Sequence, residues 1–181
     1  GEWLGAYDYL TLSKAMFFPV WLALLHALHL PYLVAGAALW CGAALMAAFA
    51  FSPLWRKKRP GQGRVLTLAL FAALAFLPSS WAAYTLRVYR DNIFPALCLY
   101  FFAGMAGMAL RAVFEKDKPL WPWLAAAGAG LACGYLDRED AGLFLLPFAA
   151  AATVIVAVVL VGKRRWKAFA AQVIPYAMHG V

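Results

Sequence analysis

The sequence predicts an all-α fold, a polytopic transmembrane helical bundle of about five spans plus a truncated sixth. Hydrophobic residues make up 66% of its 181 residues and charged residues only 13%, about half the charged share that is usual in a soluble domain. The apolar residues form runs close to the roughly 20 residues that cross a bilayer as a helix. These runs do not alternate between apolar and polar residues, as barrel strands would. One transmembrane domain is therefore predicted over residues 1–181.

Five apolar runs are long enough, or nearly so, to span a bilayer. The first and the last of them end at basic clusters, residues 56–59 and 163–165. The third and fourth runs are short for a span but still feasible. The predicted spans are Tyr32 to Leu54, Val65 to Tyr84, Ile93 to Leu110, Pro119 to Leu136 and Ala141 to Gly162, and a sixth span begins at Trp166.

The first 31 residues precede these spans and are predicted to form an outer loop with one or two helices lying on the membrane. Residues 32–181 are predicted to form the bundle. Within this loop, residues 16–30 are apolar but shorter than a span, which favours an interfacial or re-entrant helix. His26 and His29 are three residues apart and could ligate a metal, but the sequence offers no third ligand nearby, so ordinary interfacial histidines are favoured. Aromatic residues typical of headgroup depth surround the stretch: Trp3, Tyr7, Tyr9, Phe17, Phe18 and Trp21.

The basic residues divide unevenly between alternate loops and so predict an orientation. One set of loops holds twelve of the 16 Lys and Arg residues but only two of the eight acids. Because cytoplasmic loops carry an excess of Lys and Arg, this set is predicted to be cytoplasmic. The net charge of +8 is thereby explained as a topology signal, and no nucleic-acid partner is predicted. The cytoplasmic set comprises residues 55–64, 111–118 and 163–167, and the outer set comprises residues 1–31, 85–92 and 137–141.

Three outer segments carry charged residues beside predicted helix ends, where ionisable groups are costly and are candidates for function. Residues 137–140 place four consecutive charges between two apolar runs. Arg87 and Arg90 would share one helix face and could grip one phosphate. Lys14 stands in the aromatic-rich first loop. The competing interpretations are a solvated turn, a pair of arginines whose side chains reach out to the interface, and a simple interfacial anchor.

These segments resemble, in the same order, outer-loop motifs of the bacterial GT-C glycosyltransferases, a superfamily that includes protein O-mannosyltransferases and aminoarabinose transferases. Residues 3–19 resemble the first outer loop of these enzymes. Residues 86–95 look like an Arg-x-x-Arg-Glu-x-x-aromatic-Pro element, with Asp91 in place of Glu. Residues 137–142 are similar to a Thr-Arg-Glu-Glu-Gly turn, with Asp137 in place of Thr.

The resemblance implies transfer of a sugar from a polyprenyl-phosphate carrier to an acceptor on the outer face of a bacterial inner membrane. In the family, Lys14 would be followed by Gly or Pro, whereas Ala15 follows it here. The family also carries an acidic pair just after its first span, which would precede residue 1. The resemblance therefore implies that this chain is a fragment that lacks the first span.

Glycosyl transfer would use two groups of the charged outer residues, carboxylates and cations. A carboxylate takes the proton of the acceptor, and cations stabilise the departing lipid phosphate. A divalent metal is left open, because the sequence shows no ligand set. The candidate catalytic residues are Asp8, Glu139 and Asp140, and the candidate substrate-binding residues are Lys14, Arg87, Arg90 and Arg138.

Two other classes of function stay open on the sequence alone. A transporter or flippase component would place charges within its spans, near broken helices at mid-membrane. The centres of the predicted spans contain no Asp, Glu, Lys or Arg, which counts against coupling to protons or ions. A non-catalytic scaffold or assembly subunit would account for the compact size of the chain but not for its dense outer charge.

The predicted orientation can be tested by cysteine accessibility. In a variant without Cys41, Cys98 and Cys133, the substitutions Gly61→Cys and Glu139→Cys should react with an impermeant thiol reagent from opposite sides of the membrane. Labelling of both positions from the same side would contradict the topology.

Overall fold

The computed structural model describes residues 17–58, 61–77, 92–115, 119–138 and 141–162. These residues form six α-helices and no strand, so the all-α prediction is confirmed for this part of the chain. Two of the helices, over Tyr32–Arg56 and Phe94–Phe114, are long and apolar enough to cross a membrane. The helices are α1 (Phe17–Ala27), α2 (Tyr32–Lys58), α3 (Gly63–Ala75), α4 (Phe94–Phe114), α5 (Trp121–Asp137) and α6 (Ala141–Gly162).

The predicted span from Val65 to Tyr84 is wrong at its end. Helix α3 has 13 residues and is therefore about 20 Å long, shorter than the roughly 30 Å hydrocarbon layer. It stops at Ala75, where the amide of Phe76 still donates to the carbonyl of Ala72. Pro78 follows shortly after, and the residue before a proline is biased away from helical backbone. The apolar content of this run extended further than its helix.

The other predicted bounds agree more closely with the helices. Helix α6 covers the predicted range, and α5 begins and ends within two residues of its prediction. Helices α2 and α4 each continue four residues beyond their predicted ends, and α4 thereby includes Arg111, which was predicted to lie in a cytoplasmic loop. The predicted sixth span after Trp166 lies outside the described residues.

Helix α1 is short because it ends in a left-handed turn at His29, whose φ is 54°. The amide of Leu30 donates to the carbonyl of Leu25 at 3.0 Å, and the amide of His29 donates to that of His26 at 3.1 Å. This pair of bonds is a Schellman motif, and His29 occupies the position where glycine is usual. The predicted short helix within residues 16–30 is confirmed, whereas its position on a membrane surface stays a prediction.

The centre of the bundle is α4, which packs against α2 on one side and α5 on the other. The contact with α5 depends on two glycines that bring backbone against backbone. A Cβ atom on Gly104 would lie 2.6 Å from the amide nitrogen of Ala127, and one on Gly130 would lie 2.6 Å from that of Phe101. Both distances are shorter than side-chain carbons tolerate, so only glycine permits this approach. Such small-residue interfaces are the usual way for membrane helices to pack.

Helix α2 contacts α4 through small buried residues and holds α3 through two tryptophans. The indole of Trp40 donates to the carbonyl of Leu74 at 3.1 Å. The indole of Trp55 donates to the Thr67 hydroxyl at 2.9 Å, and that hydroxyl donates to the carbonyl of Gly63 at 2.8 Å. These bonds fix α3 alongside α2. The buried alanines between α2 and α4 are Ala43, Ala47, Ala50, Ala96 and Ala103.

The surface of the bundle is rich in large exposed apolar side chains. Leu143 is 78% exposed, Phe76 75% and Val65 67%, and exposed Leu, Val and Phe residues occur on every described helix. So many large exposed apolar side chains are unusual on a soluble monomer and indicate contact with lipid or protein. It adds to the two apolar helices as support for a membrane environment.

The glycine contacts predict a contrast between three similar substitutions. Gly104→Ala and Gly130→Ala should each destabilise the protein by about 1–3 kcal/mol, because the added methyl forces the two backbones apart. Gly128→Ala is the matched control: it lies in the same helix as Gly130, but nothing lies within 4 Å of its added Cβ. Helix propensity should make that control neutral or up to about 1 kcal/mol stabilising. Denaturant titration in a neutral detergent measures all three, and equal effects would contradict the close contact.

Candidate functional site

Two groups of charged side chains lie near opposite ends of α4. One is the Asp137–Arg138 pair, located where α5 ends beside the first residue of α4. The other, called here the Arg111 junction, consists of Arg111, Glu115, Arg56, Trp123 and the Phe49 carbonyl. The rise of a helix separates Phe94, under Arg138, from Arg111 by about 26 Å along α4.

Most of the predicted site residues lie outside the described part of the chain. Of the seven, only Arg138 belongs to the part of the chain that the structure describes. The convergence of three charged segments on one cavity therefore stays a prediction. The site residues outside the described ranges are Asp8, Lys14, Arg87, Arg90, Glu139 and Asp140.

Arg138 lies directly after the last residue of α5. Its backbone is extended, with φ −134° and ψ 133°, and its amide donates to the carbonyl of Gly134. Its own carbonyl accepts the amide of Ala141 at 3.2 Å, which joins α5 to α6 by a tight connection. The guanidinium carbon lies 5.1 Å from the centroid of the Phe94 ring, within the range of a cation–π contact. The side chain is half-buried and is held across the start of α4.

Asp137 is a buried carboxylate that the sequence interpretation did not include among the site residues. Its exposed fraction is 0%. It lies on the same face of α5 as the buried residues Ala127, Gly130 and Gly134, and this face packs on α4. A buried charge is costly unless it is compensated. The signal that could have found it is its spacing, three and seven residues beyond two glycines of one helical face.

Arg111 is also buried, with an exposed fraction of 8%. The predicted loop at 111–118 is therefore wrong at its beginning, since α4 continues to Phe114 and turns this arginine inward. Its Nη2 donates to the carbonyl of Phe49 in α2 at 3.0 Å. Its Nη1 lies 3.5 Å from the carbonyl of Gly107, one turn back on α4. One side chain thus links the last turn of α4 to the interior of α2.

The Phe49 carbonyl is available to Arg111 because of Pro53. Proline has no amide hydrogen, so the carbonyl four residues before it loses its helical partner. Pro53 lies inside α2, and the carbonyl that it frees is that of Phe49. Besides Arg111, the hydroxyl of Ser52 donates to this oxygen at 2.8 Å. Two side-chain donors therefore replace the missing backbone bond.

Trp123 of α5 covers the guanidinium of Arg111. The guanidinium carbon is 3.8 Å from the centroid of the indole ring, a close cation–π distance. The indole fits there because α4 carries glycine at position 107, where any Cβ would collide with the ring. Arg111 is consequently in contact with α2, α4 and α5 at once.

Glu115 lies between two arginines. Its carboxylate is 3.7 Å from Nε of Arg111 and 3.9 Å from Nη1 of Arg56. The side chain of Arg56 is 58% exposed, so its pair with Glu115 contributes little to stability. The buried pair with Arg111 compensates a charge that would otherwise be costly. The donors of Arg111 are directed at protein groups, so this junction is built to connect helices.

Metal binding has no structural support among the described residues. These residues contain no group of three or more His, Cys, Asp or Glu side chains that could hold a metal ion. His26 and His29 lie at the end of α1 with their ring centroids 6.4 Å apart. The sequence leaves a divalent metal open for the predicted outer site, whose residues apart from Arg138 lie outside the described ranges.

Comparisons with protein families, characterised proteins and solved structures give no match for this chain.

The Arg111 junction predicts energetic coupling between Pro53 and Arg111. Arg111→Met should cost roughly 1.5–3 kcal/mol of stability, as expected for a lost bond from a charged donor. In a Pro53→Ala background, the restored amide satisfies the Phe49 carbonyl, so the same substitution should cost about 1 kcal/mol less. A double-mutant cycle of unfolding free energies in detergent measures this difference.

The matched control for this cycle is Pro147→Ala, which removes a proline that, like Pro53, lies in the interior of its helix. It is in α6 and should be additive with Arg111→Met within about 0.5 kcal/mol, as for independent sites. If the effects of Pro53→Ala and Arg111→Met on the unfolding free energy are additive as well, the restored amide does not replace Arg111 as the donor to the Phe49 carbonyl, and the prediction is contradicted.

Proposed function

We propose that this chain is the membrane-embedded domain of a glycosyltransferase that uses a polyprenyl-phosphate sugar donor. In this proposal the chain spans a bacterial inner membrane about five times, begins a sixth span and carries its site on the outer face. The two helices of spanning length and the apolar surface of the bundle support the membrane part. The buried charged residues also fit, because Arg111 and Asp137 both lie in the last turn of a helix and not at its centre.

The observation that carries the catalytic part is the position of Arg138. Its guanidinium is half-buried over Phe94 at the junction of α4, α5 and α6. Residues 139–140 follow it directly, and residues 87–91 precede the described start of α4 by a few positions. The chain therefore brings the neighbours of two predicted site segments to one end of the bundle. A half-buried cation beside apolar side chains is better suited to bind the phosphate of a lipid than an anion dissolved in water.

The proposed reaction requires a base and a stabilised leaving group. An oxygen of the acceptor attacks the anomeric carbon of the sugar, and the bond from that carbon to the phosphate oxygen breaks. The carrier phosphate leaves with the electron pair, and the acceptor proton passes to a carboxylate. The charge that grows on the phosphate is held by cations. The carboxylate comes from Asp8, Glu139 or Asp140, the cations from Lys14, Arg87 and Arg90, and Arg138 orients the donor or Glu139.

A non-catalytic scaffold is the second candidate, and the Arg111 junction favours it. There Arg111 is directed at the carboxylate of Glu115 and at backbone carbonyls of α2 and α4. Such an arrangement connects helices, because the donors of Arg111 are directed at protein groups and not at a cavity for a substrate. A transporter component has less support, because no buried charge lies at the centre of a described helix.

The enzyme proposal predicts a difference between outer and cytoplasmic cations. In the full-length protein, Arg87→Ala or Arg90→Ala should lower turnover with a lipid-linked donor by roughly tenfold or more. The reason is that a lost charge-assisted contact to the transition state costs roughly 1.5–3 kcal/mol. Turnover is measured as release of the sugar from a radiolabelled polyprenyl-phosphate donor.

The matched controls are Lys116→Ala and Arg164→Ala, which remove equal charge from predicted cytoplasmic loops. They should leave turnover nearly unchanged. If both groups of variants behave alike, or if the full-length protein consumes no lipid-linked sugar, the scaffold proposal takes precedence.

A further inference from the structure

The connection between α2 and α3 carries a concentrated positive charge that the proposed chemistry does not use, and of its basic residues Arg56 alone belongs to the Arg111 junction. Helix α2 ends in Arg56, Lys57 and Lys58, Arg59 follows, and α3 begins with Gly63 and Arg64. Arg56 and Arg64 are both exposed. Glu115 lies against this surface, and its carboxylate is shared between Arg56 and the buried Arg111.

The first residue of α3 packs against Arg56 at the end of α2. The Cβ position of Gly63 lies 3.5 Å from Cγ of Arg56, so the residue next to Arg64 is packed on the stem of Arg56. The hydrogen bond from Trp55 to Thr67 fixes the same two turns. The cations are thus presented from paired helix ends, and less side-chain and backbone freedom is lost when they bind an anion.

Apolar side chains continue from these cations along α3. Val65 is 67% exposed and Leu68 is 65% exposed, and with a spacing of three they share one face of the helix. Phe76, 75% exposed, lies at the far end of the same helix. A cationic helix end followed by an exposed apolar face is complementary to a molecule with an anionic head and an apolar tail. An inorganic anion or a nucleic acid would leave the apolar part of this surface uncovered.

We propose that the α2–α3 end is a binding site for an anionic phospholipid, whose phosphate contacts Arg56 and Arg64 and whose acyl chain lies along Val65 and Leu68. Guanidinium groups match phosphate oxygens in geometry and charge. Basic clusters directly beside a membrane helix attract anionic lipids. This inference rests on the membrane part of the proposed function but not on glycosyl transfer.

The test is a lipid titration of the purified full chain in neutral maltoside micelles, with the midpoint of thermal unfolding as readout. Phosphatidylglycerol should raise the midpoint and saturate. Phosphatidylcholine with the same acyl chains, and inorganic phosphate, should have little effect. Each cation near an anionic headgroup contributes about fivefold in affinity. The variant Arg56→Gln/Arg64→Gln should therefore shift half-saturation to roughly 25-fold higher phosphatidylglycerol.

The matched control is Arg56→Lys/Arg64→Lys, which keeps the charge and should retain most of the affinity. Because the Arg56–Glu115 pair is weak, the Gln variant should fold with a nearly unchanged midpoint in the absence of lipid. Equal effects of both lipids, an equal effect of inorganic phosphate, or an unshifted titration in the Gln variant would overturn the lipid site. Carbonate extraction distinguishes this failure from that of membrane embedding: a chain released from membranes overturns both, whereas a retained chain with no preference overturns the lipid site alone.

Discussion

The close contact between α4 and α5 is the constraint on which both charged groups depend. Gly104 and Gly130 let the two backbones meet at a distance that no side chain would allow. At one end this contact carries Asp137 and Arg138 to the first residue of α4. At the other end it places Trp123 over Arg111. A wider spacing between these helices would separate both sets of groups, so the arrangement of charge follows from the packing of small residues.

The Arg111 junction shows a backbone carbonyl without a helical partner that is satisfied inside the bundle. In water, the carbonyl freed by Pro53 could bond to solvent at little cost, whereas in lipid an unsatisfied carbonyl costs several kcal/mol. Here Ser52 and Arg111 bond to it from α2 and α4. Pro53 therefore leaves the Phe49 carbonyl without a backbone donor, and Arg111 donates a hydrogen bond to it. Glu115 compensates the charge of Arg111. The missing backbone hydrogen bond at Pro53 in α2 is thus replaced in part by a hydrogen bond from α4.

The cations of the bundle differ in their burial and in their neighbours. The guanidinium of Arg111 is directed at carbonyls, a carboxylate and an aromatic ring of the protein itself. Arg138 is half-buried over Phe94, beside a segment of further charges. Arg56 and Arg64 are exposed at the α2–α3 end, next to apolar side chains. Burial and neighbours, and not residue type, separate a structural cation from one that can meet a ligand.

The sequence by itself determined the helical class, the bounds of α6 and most helix starts, because long apolar runs leave a chain few other ways to bond its backbone. It did not determine where α3 ends, since apolar content continues past Ala75 while the helix does not. It placed Arg111 in a loop, because hydropathy treats a charge as the end of a span and cannot register an acceptor that a proline frees on another helix. Tertiary structure alone decided that Arg111 and Asp137 are buried, since each depends on which face of its helix meets α4.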